Sequence, residues 1–331
     1  MMVKTVAFTR KRFPVTIILL VLIIILALLP LFVRGYWIRV ITSLFMFGAM
    51  AEALNLVVGY AGYAAFGNGV FFGIGAYVTA VLMTHYNLPF FPAMFISGLT
   101  AMFIAFCLGW PVLRLKGHYF AIATIGINMA VMEIVTFIDI TGGGKGISLP
   151  LYPGDIVKQG MFFYYCMFIL LLFSIAITAI IVNSRFGYGL RAIKTQPEAA
   201  EVMGVNTTFY KVYAWSISAF IAGIAGSLNA YWLTFLEPLF VFDIMISVEV
   251  FVMVLLGGPG TIFGPILGAF FLKLLSELVW SQFTLIHMGV LGLIIVVITL
   301  FLPSGISGLL RQAIHWRGHW RDAAVKSAES Q

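Results

Sequence analysis

Long apolar runs alternate with short polar segments along nearly the whole chain. They fall at roughly 15–33, 38–58, 65–84, 91–113, 119–139, 161–183, 211–235, 240–256, 262–280 and 284–302, most of them close to the ~20 residues that a helix needs to cross a bilayer. The pattern predicts an all-α, polytopic transmembrane helical bundle of about ten spans occupying 15–310. Tails at 1–14 and 311–331 flank it. A basic stretch precedes the first run, as in a signal sequence, but no small-residue cleavage site follows, so residues 15–33 are read as an uncleaved first span.

One polar island interrupts the pattern. Ser184–Lys211, SRFGYGLRAIKTQPEAAEVMGVNTTFYK, lies between two apolar runs and is flanked by Arg185, Arg191, Lys194 and Lys211. Thr195-Gln-Pro-Glu198 has the spacing of a capping box and predicts a short helix starting at Thr195. Pro197 suits its first turn, Glu198 complements its positive end, and Gly204 is a natural stop. Upstream, Phe186, Leu190 and Ile193 recur at helical spacing and predict a strip lying in the membrane interface. A short capped helix at the surface can pass on rigid-body motion, and Ala199 and Ala200 leave room for close docking. The alternative is a solvated loop with an incidental helix.

Composition narrows the class. The 331 residues are 62% hydrophobic and 9% charged, with mean hydropathy +1.08, against roughly 25% charged in a soluble domain. The net charge of +7 resides mostly in four clusters between or beyond the apolar runs, the distribution of cytoplasmic loops rather than of a nucleic-acid surface. Ten crossings starting inside place all four clusters, both termini and the 184–211 loop in the cytoplasm, and the 140–160 loop outside. Cys107 and Cys166 each lie within an apolar run and are expected as small buried hydrophobes.

Two uncharged glycine turns stand out: Gly59-Tyr-Ala-Gly62 before YAAFGNGVFFGIGAYVTAVL, and Gly257-Gly-Pro-Gly260 before TIFGPILGAFFLKLL. They read as an internal repeat running in the same sense through the membrane, as parallel repeats do in transporters. Generic glycine-rich helix packing is the alternative. The TGGGKGIS segment is not a phosphate loop, because Gly146 rather than Ser or Thr follows Lys145 and no soluble strand precedes it. The scattered His residues form no metal spacing, and no Ser/His/Asp ordering or nucleophile elbow is present.

The Glu198-Ala-Ala-x-x-x-Gly204 pattern resembles the cytoplasmic signature of permease subunits of binding-protein-dependent ABC importers. From about Leu54 to Gly308 the sequence is similar to the M-type permease of branched-chain amino acid importers, through FFGIGAYVTAVL, PVLRLKGHYFAIATIG, SRFGYGLRAIK, EAAEVMGVN and VLLGGPGTIFGPILGA. The resemblance implies a bacterial inner-membrane subunit that pairs with a second permease, two cytoplasmic ATP-binding subunits and a periplasmic substrate-binding protein. It implies no cofactor bound by this chain, ATP and Mg being held by the ATPase partners. Arg185, Phe186, Gly187, Arg191, Glu198, Ala199, Ala200, Met203 and Gly204 would then couple to the ATPase. Relatives carrying urea, amides or aromatic acids keep those substrates open.

Ionisable and amide groups inside spans are costly and mark candidate paths. Glu52 and Asn55 share a face of the second span; Asn68, Asn128, Glu133 and Glu249 interrupt others. Helix–helix hydrogen bonding is the alternative for each, and Lys273 with Glu277, four apart, form an expected neutralising pair. A secondary transporter using Glu133 and Glu249 as ion carriers is the rival reading, and it leaves the 184–211 loop idle.

Overall fold

The computed structural model describes residues 12–282, apart from Arg34 and Lys116, and the isolated positions 289, 292, 305, 306 and 308. Twelve α-helices follow one another: α1 (Arg12–Phe32), α2 (Tyr36–Asn55), α3 (Gly69–Thr84), α4 (Phe90–Val112), α5 (His118–Phe137), α6 (Ile156–Val182), α7 (Arg185–Thr195), α8 (Pro197–Val202), α9 (Thr207–Leu233), α10 (Pro238–Val241), α11 (Ile244–Gly257) and α12 (Gly264–Gln282). A π-helical turn, Leu56–Tyr60, extends α2. The protein is an all-α multi-pass bundle. Among the described residues, six helical segments are long and apolar enough to cross a membrane, while α3 and the Val21–Phe32 part of α1 are shorter. Apart from positions 289 and 292, the expected tenth span at 284–302 lies outside the described residues, as do the C-terminal tail and positions 1–11.

Successive crossings alternate, so α2 and α11 run to the same end of the bundle and α3 and α12 leave from it. The two glycine turns meet there, which is the geometry expected of a repeat in the same sense. The span expected at 240–256 is broken in the structure: α10 ends at Val241 and Asp243 caps α11, its carboxylate accepting from Met245 N at 2.9 Å. α6 begins at Ile156, inside the segment expected as loop. The rest of that loop holds a two-residue strand, Ile147–Ser148, paired antiparallel with Phe235–Leu236.

The core centres on α2, α3 and α9. Small residues let backbones approach where no hydrophobic force separates helix from lipid. A Cβ on Gly226 would collide with the Phe72 carbonyl, and one on Gly75 with Gly223. Trp215 of α9 fills the space between α3 and α5, its ring edge-on to Phe71 at 5.1 Å and near Phe120 at 6.0 Å. Outer faces are apolar: Phe91, Phe95 and Phe103 on α4 and Ile169, Phe173 and Ile180 on α6 are exposed. Cys107 belongs to such an outer face and Cys166 is half-buried. The expectation of burial therefore fails for Cys107, because α4 turns Phe90 and the small residues Ala93, Ser97, Gly98, Ala101, Ala105 and Gly109 inward.

Candidate functional site: the 184–211 loop and its seat in the bundle

The polar island folds as two helices in a hairpin. α7 does not float in the interface as its apolar strip predicted; Leu190 and Ile193 are buried against protein. Gly187 packs on the carbonyls of Ile181 and Val182, and Gly189 on the Tyr210 ring. Phe186 stacks on the same ring, centroids 4.6 Å apart and planes 6° from parallel. The strip is thus clamped between the end of α6 and the start of α9.

The break between α7 and α8 falls one residue later than the capping-box spacing predicts. Thr195 remains the last residue of α7 and its hydroxyl donates to the Arg191 carbonyl at 3.0 Å. Gln196 is the extended residue at the junction, φ −157° and ψ 98°. The cause is Pro197, which drives the residue before it out of the helical region. Pro197 and Glu198 then occupy the first turn of α8 as expected. The stop at Gly204 also holds: φ is +85°, with Gly204 N donating to Glu201 O at 2.9 Å and Val205 N to Ala200 O at 3.0 Å. That pair of bonds is a Schellman motif. The Thr207 hydroxyl donates to Glu201 Oε1 at 2.6 Å and Asn206 caps α9 through Phe209 N, so α8 is tied to the next span.

The nine residues predicted to couple divide by direction. Arg185, Arg191, Glu198, Ala199, Met203 and Gly204 are exposed, whereas Gly187 and Ala200 are buried and Phe186 half-buried. Val202 and Met203 are 88% and 83% exposed. Lys211, the last of the basic residues flanking the island, is 5% exposed, its Nζ donating to Tyr63 OH and to the Leu113 carbonyl at 3.1 Å each. It joins the first turn of α9 to neighbouring segments rather than facing a partner.

Beneath α7, residues that the sequence singled out for separate reasons meet. Lys194 Nζ donates to the Gly59 carbonyl at 2.7 Å, and Asn55 Oδ1 accepts from Gly260 N at 2.9 Å. Asn55 Nδ2 donates to the Thr261 carbonyl at 2.9 Å. That the two similar glycine turns touch, and that the loop's lysine seals the contact, follows only from the fold.

The six candidate path residues do not converge on one channel within this chain. Glu52 is fully buried on α2, with the Thr178 hydroxyl of α6 beside it. Although Glu52 and Asn55 are three apart, Asn55 turns to the α11–α12 connection instead. Asn68, at the start of α3, and Asn128, on α5, each bond to a different segment. Asn68 Nδ2 reaches Ser218 Oγ at 3.4 Å, Gly69 N donates to Ser247 Oγ at 2.8 Å, and Asn128 Nδ2 donates to the Phe242 carbonyl at 2.7 Å. Glu133 sits on the exposed side of α5. Glu249 is engaged by Lys273 at 2.7 Å, with the ammonium 3.7 Å from the Phe47 ring centroid. The expected Lys273–Glu277 pair is therefore replaced by one between α11 and α12, because packing those helices leaves Glu249 opposite Lys273.

Residues 36–299 match the family model described as the permease component of branched-chain amino acid transport systems. The chain belongs to that permease family. It is 30% identical over 320 residues to LivM, the high-affinity branched-chain amino acid transport system permease protein of Salmonella typhimurium, covering 88% of this chain and 75% of that protein. LivM of Escherichia coli matches with the same identity and coverage over 323 residues. A probable branched-chain amino acid permease, LivH, of Methanocaldococcus jannaschii is 23% identical over 74% of this chain and 82% of its own length. No solved structure matches the chain. The permease's relatives are thus permease proteins of branched-chain amino acid transport systems, and they include both LivM and LivH.

Proposed function

We propose that this permease forms part of the translocation path of an ATP-driven importer for branched-chain or related hydrophobic amino acids, in a bacterial inner membrane. The observation that supports it most is the α7–α8 hairpin: α7 packs on α6 and α9, and the six-residue α8, opened by Pro197 and stopped at Gly204, presents Val202 and Met203 to solvent. Such a part can be pushed as a rigid body. The two cytoplasmic ATPase subunits, which bind ATP and Mg, dock against Arg185, Arg191, Glu198, Ala199, Met203 and Gly204, and this chain hydrolyses nothing. The loop and the start of α1 share the cytoplasmic end; the 140–160 loop faces the periplasm, where the substrate-binding protein delivers its ligand. A second permease of the LivH type completes the membrane unit. Alternating access follows when ATPases and substrate bias two states of the pair differently.

Gly204→Leu tests this reading. The position has φ +85° and open space around it, so the change leaves the bundle's packing alone but strains the left-handed turn by about 1–2 kcal/mol. In proteoliposomes holding all subunits, hydrolysis is expected to continue while uptake falls severalfold. Unaltered uptake per ATP would refute the coupling role.

A further inference from the structure

We propose that Lys194, Gly59, Gly260 and Asn55 form a polar knot through which movement of the α7–α8 hairpin is delivered to the transmembrane helices, with Lys194 as its positioning residue. The inference rests on the coupling reading above and adds where the motion goes once it reaches the bundle.

The apolar strip holds α7 in place, but hydrophobic contact is non-directional and resists sliding poorly. A charge-assisted hydrogen bond of 2.7 Å is directional. Its acceptor is also the natural one. The last carbonyls of a helix have no partner within it, and those of Leu56 and Val57 are taken by Ala61 N and Tyr63 N. Gly59 O is left for a cation, which the negative end of α2 favours. Lys194 reaches it by laying its stem along Gly62, where an added Cβ would stand 3.1 Å from Cγ.

The second turn completes the junction. Gly260 has φ +84°, and a Cβ there would come within 3.0 Å of Gly59 O and 3.6 Å of Lys194 Nζ. Asn55 grips this turn with both ends of its amide, accepting from Gly260 N and donating to the Thr261 carbonyl. Three regions far apart in the chain therefore meet at one ammonium group: the coupling hairpin, the end of α2 and the α11–α12 turn. A shift of α7 must draw the ends of α2 and α11 with it. Beside the knot lies a cleft of about 420 Å³ bordered by Tyr60, Arg191, Gly260 and Thr261, so one flank of α7 is free to swing.

The test is amino acid uptake per ATP hydrolysed, measured on the assembled transporter in proteoliposomes. Lys194→Met is expected to lower that ratio tenfold or more, while Lys194→Arg, which keeps a long cationic donor, stays within twofold of the unaltered complex. A ratio that does not move in Lys194→Met, including a parallel loss of uptake and hydrolysis, overturns the proposal. Asn55→Ala cuts the knot at its far end and serves where the methionine variant does not accumulate. It should lower the ratio similarly, and the double variant should be no worse than either single; multiplied losses also overturn it. Crosslinking of Met203→Cys to the ATPase separates the two readings. A crosslink with an unmoved ratio refutes the knot alone, whereas no crosslink refutes the coupling site itself.

Discussion

Breaking the Glu249–Lys273 pair distinguishes a structural bond from an ion-carrying site. The groups are 2.7 Å apart, with side chains 27% and 19% exposed. At an effective dielectric near 20 their attraction is about 6 kcal/mol, most of it offset by desolvation of both ions. Removing one partner of a fully buried pair costs about 3–5 kcal/mol, and the residual exposure here lowers that to about 2–3 kcal/mol for Glu249→Gln. Lys273→Met should cost the same plus about 1 kcal/mol for the lost contact with the Phe47 ring. The double replacement should lose far less than the sum, leaving an interaction energy of about 2 kcal/mol. A double-mutant cycle on reversible unfolding of the purified permease in mixed micelles measures this. Single variants within 0.5 kcal/mol of the starting protein, a tolerance on the order of ordinary surface substitutions, or strictly additive losses would refute the reasoning. So would larger damage from Glu277→Gln than from Glu249→Gln. Uptake by the double variant decides the rival: a carboxylate acting as ion carrier is irreplaceable, whereas a structural pair is not.

Gly226→Ala should destabilise the bundle by about 3 kcal/mol, the upper end for overpacking, because its methyl group would drive α9 off the Phe72 carbonyl; an unchanged melting temperature in detergent would count against the close α3–α9 crossing. Glu133→Gln should reduce uptake severalfold without loss of assembly, since the carboxylate lies outside this chain's own packing; unaffected transport would remove Glu133 from the path.

The hydrophobic pattern alone established a multi-pass helical bundle and located most spans to within a few residues, because twenty apolar residues have few alternatives in a bilayer. It equally marked the 184–211 segment, where Pro197, Glu198 and Gly204 each act through backbone rules that hold in any context. The capping box at Thr195 was misread because two local rules competed there, and the restriction that Pro197 places on its predecessor won over the side-chain cap. Which face of α7 is buried was legible in the strip; what covers it was not.

Tertiary structure decided everything that depended on partners remote in sequence. Glu249 chose Lys273 over solvent, Lys211 turned inward to Tyr63, Glu133 turned outward, and Asn55 found Gly260 across 205 positions. Local preference is set by a residue and its near neighbours along the chain. A polar group inside a membrane must be satisfied by whatever the packing brings next to it, and that choice belongs to the folded bundle.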